Sequence, residues 1–86
     1  MITKLINIRK DFYMHARPAG QLALEAQKYQ SMILLFKGEY VIDVKSAISL
    51  MNASEYLKDQ VELVIDGKDE EKALHEIEAL LVNLEC

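Results

Sequence analysis

The sequence predicts an α+β fold of two layers, a sheet of four strands with three helices on one face, in the order βαββαβα. Three observations lead there. Three segments place apolar residues at helical spacing on one side only, and four short segments have the composition and alternation of strands. Two of those strands are separated by Lys37-Gly38-Glu39, a tight reversal. Helices that are apolar along one stripe and strands this short bury their apolar sides together most readily as a sheet with helices on one face.

At the N-terminus, Ile2, Lys4, Ile6 and Ile8 share one side of an extended segment, and Thr3, Leu5, Asn7 and Arg9 share the other. Only one of these faces is cleanly assigned. A break at Lys10-Asp11 follows, and then Ala19, Leu22, Ala23, Ala26 and Tyr29 recur at helical spacing behind Pro18. A proline in a helix's first turn gives up no hydrogen bond, because an early N–H has no intrahelical partner.

Ser31 to Phe36 is rich in Ile and Leu, and with Tyr40 to Val44 it forms the predicted hairpin. Ser46 is a natural N-cap for the short apolar stretch Ala47, Ile48, Leu50 and Met51. Gln60 to Ile65 sets Val61, Leu63 and Ile65 against Glu62 and Val64, and Asp66-Gly67 ends that strand. Asp69, Glu70 and Glu71 suit a helix start, after which Ala73, Leu74, Ile77, Leu80, Leu81 and Leu84 trace one stripe.

The 86 residues, 51% of them hydrophobic, suffice for one domain over residues 1–86 with one core and leave no room for a deep catalytic cleft between domains. Ten Lys and Arg against 14 Asp and Glu give a net charge of −4, which argues against unspecific attachment to nucleic acid or to acidic membranes and favours protein partners. The apolar run from Met32 to Phe36 is far too short to span a bilayer, and the N-terminus lacks a signal-peptide core, so a cytoplasmic protein without membrane insertion is expected. Cys86 is the single cysteine and His75 lies off the apolar stripe of its helix, so neither a disulfide nor a metal site is expected, and no cofactor is implied.

The chemistry concentrates at His15-Ala16-Arg17-Pro18. The stretch sets an imidazole and a permanent guanidinium at a helix start, where unpaired backbone N–H groups and the positive end of the helix dipole can hold an anion. Together with Lys45-Ser46, it resembles the two phosphorylation motifs of the HPr family, the phosphocarriers of the bacterial phosphoenolpyruvate-dependent sugar phosphotransferase system. The separation of the motifs, the chain length and the order of elements agree with that resemblance across essentially the whole chain.

The resemblance implies an antiparallel sheet and a group-transfer carrier that is not by itself a catalyst on a small molecule. His15 would accept a phosphoryl group from enzyme I and pass it to a sugar-specific enzyme IIA. Arg17 would stabilise the phosphate and Pro18 would set the helix start. Ser46 would be a regulatory site for HPr kinase/phosphorylase, feeding a catabolite-control transcription regulator, and Ala16, Ala47, Ile48 and Met51 would meet partners. A monomer is expected. An alternative reading is an HPr-like regulatory interaction protein that acts through Ser46, with little role in sugar transport. Relatives usually carry Gly-Leu or Gly-Ile before the histidine, where this chain has Tyr13-Met14; Leu24 and Gln27 stand where some relatives are basic.

Overall fold

The computed structural model describes residues 1–8, 16–53, 56–57 and 59–83. Its elements are β1 (Ile2–Ile8), α1 (Ala16–Ala26), β2 (Met32–Lys37), β3 (Tyr40–Asp43), α2 (Ala47–Asn52), β4 (Asp59–Asp66) and α3 (Glu70–Asn83), in the expected order βαββαβα. The strands form one antiparallel sheet in the order β1-β4-β2-β3.

Register decides which residues enter the core. Lys4, Leu63, Leu35 and Ile42 lie opposite one another across all four strands, and the flanking rows pair Ile6 with Val61 and Ile2 with Ile65 and Ile33. Residues directly opposite share a face, so this is the inner face. Its Ile6, Ile8, Ile33, Leu35, Ile42, Val61, Leu63 and Ile65 are buried in one cluster with Ala19, Leu22, Ala23 and Ala26 of α1, Leu50 of α2 and Ala73, Ile77 and Leu81 of α3.

The ambiguous N-terminal strand is thereby resolved. Its even-numbered side faces inward, and Lys4, the one charged residue on that side, extends from the edge strand to bond Glu78 Oε2 of α3 at 2.7 Å. Leu5 faces the other way and is 61% exposed. Val64 also lies on the open face yet is buried, because it is on a central strand between Thr3 and Leu34.

Several element ends shift by a residue, with β2 running to Lys37, β3 stopping at Asp43 and β4 spanning Asp59–Asp66, and two boundary differences have a visible cause. Tyr29 is buried, as its place in the apolar repeat suggests, but α1 ends at Ala26. Lys28 and Tyr29 N–H groups bond the carbonyls three residues back, at 3.1 and 3.2 Å, which tightens the chain out of the helix. Ser31 precedes β2 instead of opening it. Its N–H and hydroxyl donate to Asp69 Oδ1, and Gln30 N–H donates to Asp69 Oδ2 at 2.9 Å. Asp69 sits just before α3, and its carbonyl accepts from Ala73 N–H, so one residue joins the start of α3 to the start of β2.

On the apolar stripe of α3, Ala73, Ile77 and Leu81 are buried and Leu74 and Leu80 pack partly against the core, while Leu84 lies outside the described residues, as do Arg9, Lys10, Asp11 and Cys86. Among the described residues no helix is long and apolar enough to cross a membrane.

Two consequences follow for stability. A Cβ at Gly67 would sit 2.5 Å from Ser31 Cα and Oγ, so Gly67→Ala is expected to destabilise by about 1–3 kcal/mol in urea denaturation, through overpacking against backbone. The bonds from Ser31 and Gln30 hold the Asp69 carboxyl below its ordinary 3.8. A depressed carboxylate contributes stability above its unfolded value and loses it as pH falls through the folded one. Asp69→Asn is therefore expected to be less stable than the parent at neutral pH, with the gap narrowing below about pH 4; a gap constant with pH would contradict this.

Candidate functional site

The helix that follows the histidine motif begins at Ala16, directly after His15 in the chain. Ala16 and Arg17 are exposed, while Pro18 is buried as the third residue of α1, in the first turn where its missing N–H costs nothing. No acidic side chain occupies that first turn, so the positive end of the helix has no internal counter-charge there. His15 itself, with Tyr13 and Met14, lies outside the described residues.

Ser46 occupies the N-cap of α2 with extended backbone, and its Oγ accepts from Ser49 N–H at 3.1 Å. The contacts then run on as a chain. Ser49 Oγ accepts from Asp43 N–H at 3.1 Å, and Asp43 Oδ1 accepts from Lys45 N–H at 3.0 Å. These bonds fix the turn between β3 and α2 by local side-chain to backbone contacts.

A second set of bonds ties this turn to α1. Gln27 Nε2 donates to the Lys45 carbonyl at 2.9 Å, and Lys45 Nζ donates to the Tyr29 carbonyl at 2.7 Å. The lysine thus meets a carbonyl just beyond the C-terminal end of α1, where a cation complements the dipole. Tyr29 is held in turn: its hydroxyl donates to Glu25 Oε2 at 2.8 Å. Burial, then that bond, pushes the phenol up to about 12. Bonds from Lys28 and Tyr29 hold Glu25 below the usual carboxylate range.

The four residues expected at a partner surface separate. Ala16 is exposed and Ile48 is 67% exposed, whereas Ala47 and Met51 are partly buried against the core. A helix of six residues cannot turn its whole apolar content inward: Leu50 takes the core position, and Ile48 falls on the opposite side. Beside Ile48 is an open cleft of about 460 Å³ that is lined by Glu39, Tyr40, Val41, Ser46, Ile48, Ser49 and Asn52. Tyr40 stacks on Tyr56 with ring centroids 4.5 Å apart. Sequence pattern does not reveal this wall, because Tyr40 and Glu39 reach Ser46 only through the hairpin; the turn residues Lys37-Gly38-Glu39 are the one local signal. Among the described residues no group of three or more His, Cys, Asp or Glu gathers as a metal site, and His75 is exposed.

The family model for the "PTS HPr component phosphorylation site" matches residues 2–83. The chain belongs to the HPr family. Phosphocarrier protein HPr of Treponema pallidum is 31% identical over 83 residues, covering 96% of this chain and 94% of that protein. The HPr of Mycoplasma genitalium is 42% identical over 69 residues, 79% of this chain and 78% of that one. The HPr-like protein Crh of Bacillus subtilis is 29% identical over 92% of this chain and 93% of its own length. Among solved structures, HPr from Thermoanaerobacter tengcongensis superposes with a TM-score of 0.82 at 30% identity, covering 94% of this chain and 91% of that one. The four-stranded antiparallel sheet and three helices are those of HPr structures, and this is a phosphocarrier-family protein of divergent sequence.

The cap geometry makes one expectation specific to this HPr family member. Ser46→Ala removes the acceptor for Ser49 N–H and is expected to lower stability by about 1 kcal/mol, while Ser46→Asp, which keeps an oxygen at the cap, retains most of it. Urea midpoints of the two variants check this.

Proposed function

We propose that this chain is a phosphocarrier that takes a phosphoryl group onto His15 Nδ1 from the phosphohistidine of enzyme I and delivers it to a histidine of a sugar-specific enzyme IIA. The observation that carries the reading is the family match across residues 2–83 on a chain whose α1 opens directly after His15 with Arg17 exposed. In each transfer the lone pair of the accepting ring nitrogen attacks phosphorus as the donor N–P bond breaks, so no net redox change or cofactor is needed. Arg17 supplies fork-shaped donors to the phosphoryl oxygens, and the start of α1 supplies backbone donors and a positive dipole end. Pro18 fixes that start. Ala16, Ala47, Ile48 and Met51 contribute to the surface that partners meet. In this reading the chain works as one cytoplasmic domain and as a monomer, and the acceptor is another protein, never a small molecule.

A second reading has its own support in the Crh relatives. In it Ser46 is the working residue: phosphorylation by HPr kinase/phosphorylase adds roughly two negative charges at the cap of α2 and creates a surface for a catabolite-control transcription regulator, with sugar transport secondary. Ser46 is half-buried and lines the cleft, which suits a modification that alters what the cleft accepts.

Incubation with enzyme I and phosphoenolpyruvate separates the two. The carrier is expected to gain one acid-labile phosphate that maps to His15 by mass spectrometry. His15→Ala is expected to gain none, and Arg17→Gln to transfer about a hundredfold more slowly. A folded sample that takes no label from enzyme I, yet is phosphorylated on Ser46 by the kinase with ATP, would replace the carrier reading with the regulator.

A further inference from the structure

We propose that the cleft between α2 and the β2–β3 hairpin seats an arginine side chain of a partner protein. The proposal goes beyond the carrier reading, because nothing in it requires phosphoryl transfer at His15.

Charge is the first reason. Among the described residues, Glu39 is the one ionisable carboxylate in the wall of the cleft; it is exposed and makes no ion pair with any of them. Two described lysines that flank this region, Lys37 and Lys45, are turned away from it. Lys37 Nζ donates to the Gln60 carbonyl at 2.8 Å, and Lys45 Nζ to the Tyr29 carbonyl at 2.7 Å. Neither Gln60 nor Tyr29 lines the cleft, so both ammonium groups are directed elsewhere and the wall keeps the negative charge of Glu39. A cation complements that wall.

Shape and polarity select which cation. Tyr40 presents an aromatic ring that is stacked against Tyr56 at 4.5 Å with planes 21° apart, so the ring is held in place before any partner arrives. Val41 and Ile48 are 51% and 67% exposed and form an apolar track that suits the methylenes of a long side chain. Asn52 adds a side-chain carbonyl acceptor. A guanidinium is planar, weakly hydrated, forks onto carboxylates and stacks on aromatic rings; an ammonium does none of these as well. Carboxylate, aromatic wall and apolar track together describe an arginine seat.

The source is a protein and not free arginine. Free arginine carries an α-carboxylate, and among the described residues the cleft offers it Glu39 and no base. An arginine within a polypeptide carries no such charge, and neighbouring residues of its chain can lie along the open rim.

The test is a titration of the full-length chain, followed by amide signals in 15N NMR, with N-acetyl-arginine amide as a stand-in for a chain residue. Saturable shifts at Tyr40, Val41, Ile48 and Asn52 with a millimolar dissociation constant are expected. N-acetyl-citrulline amide, of the same shape without charge, is expected to bind about tenfold more weakly, and Glu39→Gln to weaken arginine amide binding about fivefold, with the rest of the spectrum unchanged. Equal shifts from the citrulline amide, or shifts located away from the cleft, overturn the proposal. Free arginine binding tenfold or more tightly than the blocked amide also overturns it, in favour of a small-molecule site. Absence of phosphoryl transfer at His15 in the same sample would bear on the carrier reading and leave this result untouched.

Discussion

The inner face of the sheet is the surface on which the rest of this structure rests. Ile6, Val61, Leu63, Leu35 and Ile42 lie side by side there because of the strand register, and all are buried. Each helix is short or only one-sidedly apolar, so none would persist alone; each is stable because its stripe covers part of that face. A register slip of one residue would send Leu63 and Leu35 to the open side and remove the seat of every helix at once.

Above that layer, the loops are fixed by polar contacts that reach far along the chain. Asp69 binds the two residues that precede β2, from 38 and 39 positions away. Lys45 and Gln27 join the turn before α2 to the end of α1. The consequence for function is that the two family motifs sit on elements that are packed and bonded to each other: α1 carries Arg17, α2 is capped by Ser46, and Lys45 spans between them. Such stiffness lowers the ordering cost of any encounter with a partner.

Much of this was legible in the sequence because the relevant signals are local. Alternation, helical spacing, Ser46 as cap and Asp66-Gly67 as strand end each depend on neighbours within a few residues, and each element they define is present. What the pattern left open has a common cause. Tyr29 follows the helical repeat but leaves the helix because Asp69, far away in sequence, holds Gln30 and Ser31 in another course. Ile48 and Met51 look alike in the sequence of α2, yet the core takes more of Met51 and leaves Ile48 in solvent, since only the packing partner distinguishes two apolar residues on a six-residue helix. Leu57 is fully buried although no repeat points to it. For the candidate site, the motif residues were visible from residue type and spacing, while the cleft beside Ser46 was not, because its wall comes from a hairpin and a helix that meet only in three dimensions.

By itself, then, the sequence determined the order of elements, the chemical character of His15, Arg17 and Ser46, and the family to which those motifs belong, because these depend on side-chain chemistry and short-range periodicity. The tertiary structure decided which side of β1 faces the core, how Lys4 is accommodated there by Glu78, and where Lys37 and Lys45 direct their charge. Those outcomes rest on strand register and on contacts between distant segments. A linear pattern carries no distance between such segments, and the charge left at a surface depends on which neighbours have already been satisfied.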